Sequence, residues 1–364
     1  MNVRTVALSG RRDEPTDAVD EYCRYLGGAL RDRGVEMETA RVLWAERGWA
    51  RALHELRERV SAWRGRWVFL QYTALAWSAR GFPLRFLRVV QQLRDGGARV
   101  GVVYHDVESY AGGRVVDMVR RRAQLHVMRR TLNDAELAVF TVPLHVVSWI
   151  GRAPSNGVFI PVGANLPVIV DSDSQRRSRE PGPPRVAVFG ITGGEPGRKE
   201  CQRIADALRF AATKSGRLQL HAFGRGANHG ESYLREALRD APVEVRVEGI
   251  LSADQVVRAL KCADVALFVR GAISSRRGSA IAGIACGLPV IAFAGTETAP
   301  PVTDAGVVLV SPENTCALGE ALLRVLSDEN LRASLAERSR KAQREHFGWA
   351  AIADRYVEAL NKRG

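Results

Sequence analysis

The chain has 364 residues, of which 46% are hydrophobic and 26% charged, with a formal net charge of +13; that suits two folded domains and excludes a disordered or fibrous chain. The charge, mostly arginine, favours anionic ligands such as nucleotide phosphates or acidic headgroups. Five cysteines stand far apart with no CxxC pair, which excludes a zinc ribbon or disulfide scaffold and suits a reducing cytosol, and no uncharged run has the length of a membrane span.

The opening MNVRTVALSG predicts a first strand over Val3–Ser9 rather than a signal peptide. A turn holding Asp13 and Glu14 leads into a helix that ends at Gly34. Strands are predicted at 35–42, 67–72, 100–104 and 137–141, with helices over 49–63, 82–94 and 113–132 between them and a short strand at 158–161. The stretch DSDSQRRSREPGPP (171–184) is polar, charged and ends in prolines, so it reads as an interdomain linker. The alternation then restarts, with strands at 185–189, 218–223, 243–247, 265–269, 288–293 and 306–310 and a helical tail. The fold class is α/β: two doubly wound, Rossmann-like units in series, whose ligands lie beyond the carboxyl ends of the strands.

The second half opens VAVFGITGGEPGRKE. Gly193 and Gly194 let the backbone approach a phosphate, and Arg198 and Lys199 follow where a helix begins. The spacing differs from G-x-G-x-x-G and from the P-loop, which argues against a nicotinamide dinucleotide. Further glycine turns follow later strands: Gly224-Arg225, Gly249, and the loop Ser274-Ser275-Arg276-Arg277-Gly278-Ser279. Several such turns in register, three with basic residues, point to a diphosphate ligand, although each alone also fits a solvated loop.

The stretches GRK, VEGILSADQVVRALKCADVALF and ACGLPVIAF, with LRDRGVEME, FLQY, HD and FIPVGANLP in the first half, resemble the GT-B glycosyltransferases, close to glycosyltransferase family 4. The resemblance spans nearly the whole chain. It implies two Rossmann-like domains facing a central cleft: an acceptor-binding domain over 1–168, a linker over 169–184, a nucleotide-sugar-binding domain over 185–345, and a C-terminal helix over 346–364 that packs back on the first domain. It implies transfer of a sugar from a nucleoside diphosphate sugar to an acceptor hydroxyl, without a cofactor or a metal ion. Donor-binding residues are then Gly193, Gly194, Arg198, Lys199, Gly224, Arg225, Gly249, Ser275, Arg276, Arg277, Gly278 and Ser279. His105 would meet the donor sugar, with Asp106 or Asp13 as base. The implied acceptor is a small molecule, a glycan or a lipid-linked compound. The expected setting is the cytoplasm with peripheral contact to an anionic membrane, and nucleic acid is not expected as a partner.

The family's two glutamates, separated by seven residues, would fall at Ser274 and Ala282, and neither is acidic. Either Ser275, Arg277 and Ser279 hold the donor differently, or the donor differs, or turnover is lost. The last option leaves a non-catalytic accessory protein as the alternative, and a sugar-nucleotide epimerase of the same fold as a third. Other residues carry two readings. His105-Asp106 is a functional pair or a strand-end turn, and its place at a strand end favours function. His221 reads as a satisfied histidine within a strand. The arginines of the 113–132 helix (Arg114, Arg120, Arg121, Arg122, Arg129, Arg130) form a solvated face or a membrane contact. Trp44 and Trp77, predicted in loops, are candidates for an acceptor platform.

Overall fold

Short apolar runs rich in Val, Ile, Leu and Phe build the strands, and amphipathic segments between them build the helices that cover both sheet faces. The computed structural model describes residues 3–167, 182–314 and 316–363. Most of the predicted 169–184 linker lies outside these residues. The chain divides into two compact units, Met1–Pro161 with Trp349–Gly364, and Val162–Gly348.

The first unit holds strands β1 (Val3–Ser9), β2 (Val35–Arg41), β3 (Trp67–Tyr72), β4 (Arg99–Tyr104), β5 (Leu137–Phe140) and β6 (Gly157–Phe159). Its helices are α1 (Ala18–Arg31), α2 (Trp44–Arg47), α3 (Trp49–Val60), α4 (Phe86–Asp95) and α5 (Val115–Asp134). The sheet runs β2-β1-β3-β4-β5-β6, all parallel, so the strand order reverses between β1 and β3. β3 is buried along its whole length, as a central parallel strand should be. Asp17 caps α1 by accepting from Val19 N and Asp20 N, which fixes where the β1 loop ends.

The second unit holds β7 (Arg185–Phe189), α6 (Gly194–Ser215), β8 (Leu218–Phe223), α7 (Ala227–Ala237), β9 (Val243–Val247), α8 (Ala253–Lys261), β10 (Val265–Ala272), α9 (Gly278–Ala285), β11 (Val290–Phe293), β12 (Val307–Val310), α10 (Ala317–Ser327) and α11 (Glu329–Ala342). Its sheet order is β12-β11-β10-β7-β8-β9, again parallel, and the reversal falls between β7 and β10. Each unit has its own core, around Leu8, Val68, Leu70 and Phe140 in the first and Val186, Leu220, Leu267 and Ile291 in the second. The last helix, α12 (Trp349–Asn361), belongs to the first unit. Tyr356 and Tyr22 share a buried hydroxyl hydrogen bond of 2.8 Å, and Trp349 stacks on Tyr25.

Three local expectations need correction. The helix expected from Phe82 starts at Phe86, because Ser78 Oγ takes the Phe82 N–H and Pro83 O takes the Phe86 N–H in a preceding turn. The arginine-rich helix begins at Val115, where the Asp117 carboxylate accepts the Arg114 N–H. Trp44 and Trp77 are buried, with their indole N–H groups donating to Ala76 O and Gln71 O, so they form no exposed platform.

Candidate active site

At the carboxyl edge of the second sheet, backbone hydrogen bonds join three loops into one row. Gly190 N–H donates to Phe223 O (2.7 Å), Ile191 N–H to Arg225 O (3.0 Å), and Gly224 N–H to Gly249 O (2.8 Å). The glycine turns after β7, β8 and β9 are therefore one connected surface at the point where the strand order reverses, the place where open α/β sheets bind ligands. Gly190 has φ +82°, and a Cβ there would lie 2.9 Å from Nη1 of Arg270. Arg270 comes from β10, on the other side of the reversal, and makes no ion pair among the described residues.

The loop from β7 enters α6 tightly. A Cβ on Gly197 would lie 1.8 Å from Thr192 O, so only glycine admits that approach. Glu200, buried in the second turn, accepts from Thr192 N (2.7 Å) and Thr192 Oγ1 (2.6 Å) and so locks the loop onto its own helix. The N-cap residue Gly193 has no side chain to occupy the first-turn N–H groups, which stay open to an anion at the positive end of the helix dipole. Arg198 and Lys199 lie in the second helical turn rather than at its start. Both are exposed, and neither makes an ion pair among the described residues.

The β10–α9 loop is built differently from expectation. Ser274 and Ser275 are buried. Glu297, from the loop after β11, grips Arg276 with both oxygens (2.7 and 2.8 Å) and accepts from Ser274 Oγ (3.1 Å). Thr298 Oγ1 donates to Ile273 O (2.6 Å), and Val162 N–H donates to Ser275 O (3.1 Å). Burial alone would raise the Glu297 carboxyl, but the Arg276 hydrogen bonds and charge, with Ser274 and Arg277, outweigh it and hold the group below its ordinary range. Arg276 is thus engaged within the protein, not presented as a phosphate ligand. Gly278 is exposed and opens α9, Arg277 and Ser279 are half-buried beside it, and Ala282 is fully buried one turn on.

In the first unit, His105 follows β4, its Nε2 2.9 Å from Gln71 Oε1 and its ring edge-on to Tyr22 at 4.9 Å. Asp106 accepts the Ala74 N–H at 2.8 Å, so its carboxylate shapes the loop after β3. Asp13 is exposed, and its N–H donates to Asp17 Oδ2 at 2.7 Å. The Asp13 loop follows β1 and the loop held by Asp106 follows β3, the strands on either side of the first sheet's reversal, while His105 and Asp106 themselves follow β4, one strand further on. His221 is held by Glu248 at 2.7 Å in a separate cavity of about 440 Å³, which shares no lining residue with the loop row. Among the described residues no group of three or more His, Cys, Asp or Glu is placed to hold a metal ion.

Arg270, Glu200 and Glu297 carry weight that sequence reasoning missed. Arg270 had one legible signal, a cation closing a strand just before a glycine.

Residues 184–328 match the family described as glycosyl transferases group 1. No curated protein matches the chain in sequence. Among solved structures, the chain is similar to Anabaena HepE in complex with UDP and glucose, at 14% identity and a TM-score of 0.69 over 99% of this chain and 100% of that one. Sucrose-phosphate synthase from Thermosynechococcus elongatus gives 20% identity and a TM-score of 0.70, over 99% and 98%. WaaG, a glycosyltransferase involved in lipopolysaccharide biosynthesis, gives 16% and 0.62, over 97% and 98%.

Proposed function

We propose that the chain is a glycosyltransferase that moves a sugar from a nucleoside diphosphate sugar to an acceptor hydroxyl, a reading supported by the match of residues 184–328 to the glycosyl transferases group 1 family and by its two-unit α/β fold. The observation that carries the reading is the joined row of loops at the β7/β10 reversal, with open helix amides and three cations, Arg198, Lys199 and Arg270, that make no ion pair among the described residues.

The chemistry needs a leaving diphosphate whose growing charge meets donors already in place. The amides at Gly193 and Gly194 and the side chains of Arg198 and Lys199 hold that diphosphate. Arg270 adds a planar two-pronged donor, which suits phosphate oxygens. Gly224, Arg225 and Gly249 floor the nucleotide, and Arg277, Gly278 and Ser279 complete the shell from the β10 side. Because cations and amides stabilise the leaving group, a metal ion is not needed. The first unit binds the acceptor and supplies His105 to the reaction. Asp13 is the base on this reading, since the Asp106 carboxylate is held by the Ala74 N–H.

UDP is the nucleotide bound in the HepE structure and is the first donor base to try. No helix of the described residues is long and apolar enough to cross a membrane. Peripheral contact with an anionic surface belongs to this reading, from the exposed arginines of α5. Release of UDP and free or transferred sugar from a panel of UDP sugars tests it. Turnover supports transfer, UDP binding without turnover leaves a non-catalytic donor-binding protein, and inversion of the free sugar nucleotide would mark an epimerase.

A further inference from the structure

The outward face of α5 changes character along its length. At its amino end Val115 is 73% exposed, and Val116, Met118 and Val119 are 47%, 51% and 51% exposed. Positions 115, 118, 119, 122, 126 and 129 share one side of a helix. The same side therefore reads apolar for its first turn and a half and then Arg122, His126 and Arg129, all exposed, with Arg121 beside them. Arg121, Arg122 and Arg129 make no ion pair among the described residues. The two acids of the helix are already neutralised: Asp117 by Arg120 at 2.7 Å, and Asp134 by Arg94 at 3.0 Å and Arg130 at 2.9 Å. Tyr110, half exposed, lies next to the apolar end, with the Arg120 guanidinium between its ring and that of Phe82.

We propose that α5 docks on an anionic lipid bilayer end-first, its Val115–Val119 tip entering the acyl boundary while Arg121, Arg122 and Arg129 form a collar at the headgroups. Four adjacent exposed apolar side chains have no use in water, and a cationic collar directly behind them fixes the partner's sign. An aqueous acidic protein would satisfy the collar but not the tip. A neutral bilayer would satisfy the tip but leave the collar without phosphate partners. The inference rests on the proposal that the first unit meets an anionic surface, and it adds an apolar, salt-resistant part to that contact.

The test is co-sedimentation of the full chain with phosphatidylglycerol/phosphatidylcholine vesicles, at low salt and at about 1 M salt, where screening shortens to about 3 Å. Two variants accompany it, Val115→Ser/Met118→Ser/Val119→Ser and Arg121→Gln/Arg122→Gln/Arg129→Gln. All six sites are exposed, so unchanged thermal unfolding is expected of both. The wild type should bind at low salt and keep a salt-resistant fraction. The serine variant should still adsorb at low salt but lose salt-resistant binding by about tenfold or more, each buried apolar side chain contributing at least that order. The glutamine variant should lose low-salt binding. A serine variant that sediments like the wild type at both salts overturns the inference and leaves the surface reading standing. No wild-type binding at low salt overturns both. A wild-type dimer in sedimentation equilibrium that the serine variant dissolves would assign the face to a second copy, and likewise overturns the proposal.

Discussion

Arg270 closes over Gly190 across the reversal of the second sheet, with its Nη1 2.9 Å from where a side chain on Gly190 would begin. The glycine does two things there. Its φ of +82° turns the chain off β7, and its missing Cβ leaves the arginine a place beside the joined glycine loops. Gly190→Ala should cost about 1–2 kcal/mol of stability from the left-handed backbone and should also weaken UDP binding, because Arg270 must move. Urea unfolding and calorimetric titration read the two effects separately. Unchanged UDP affinity in the variant would remove Arg270 from the site.

The Glu297–Arg276 pair should behave as a clamp on the β10–α9 loop. Glu297→Ala leaves Arg276 half-buried without its carboxylate, and should destabilise the second unit by about 3 kcal/mol. The pH dependence follows from the direction of the shift. The carboxyl is held below its ordinary value of 4.5 in the folded protein, so its contribution is full above that value and is lost as pH falls through the lower, folded one. Acid unfolding of the wild type should therefore steepen below about pH 4.5 relative to Glu297→Gln. Parallel acid profiles for the two would mean that the pair contributes nothing.

His105 and Asp106 should separate cleanly although they are adjacent. Asp106→Asn keeps an oxygen to accept the Ala74 N–H and should leave turnover near wild type, whereas Asp106→Ala should lose about 1–2 kcal/mol of stability. His105→Ala should lower turnover while leaving UDP affinity unchanged. Asp13→Asn should reduce turnover by about 10²–10⁴-fold if Asp13 is the base. A large loss in Asp106→Asn with a normal unfolding curve would transfer that role to Asp106.

The loop replacing the family's acidic pair gives a further check. Ala282 is 1% exposed and packed inside α9. Ala282→Glu should therefore destabilise the protein, through a buried unpaired carboxyl, and not raise turnover. Higher turnover in a folded Ala282→Glu protein would show that the site is a weakened form of the family's.

The strands and the two-unit α/β plan were legible because parallel-sheet strands are continuous apolar runs and the glycine turns between them recur at each strand end. So were the turns themselves: Gly224 and Gly249 stand where two loops meet, and Gly193 is the N-cap of α6. What stayed hidden is pairwise and distant in sequence. Nothing near Arg276 announces Glu297, 21 residues on and supplied by a different strand's loop. Nothing near Asp106 announces that Ala74 N–H, 32 residues earlier, claims its carboxylate. Trp44 and Trp77 look free in a linear reading and are buried, because the segments after β1, β2 and β3 fold against one another around Ala76.

The central claim is that the open amides of α6 and the cations behind them bind a nucleoside diphosphate. Calorimetric titration of UDP into the wild type and into Arg198→Ala/Lys199→Ala tests it most directly. Both side chains are exposed, so the variant should unfold like the wild type. Charged hydrogen bonds contribute about 1.5–3 kcal/mol each and do not add fully, so the account predicts a loss of about 2–4 kcal/mol in UDP binding, with uridine, which lacks the phosphates, bound equally by both proteins. Equal UDP affinity in a folded variant would contradict it.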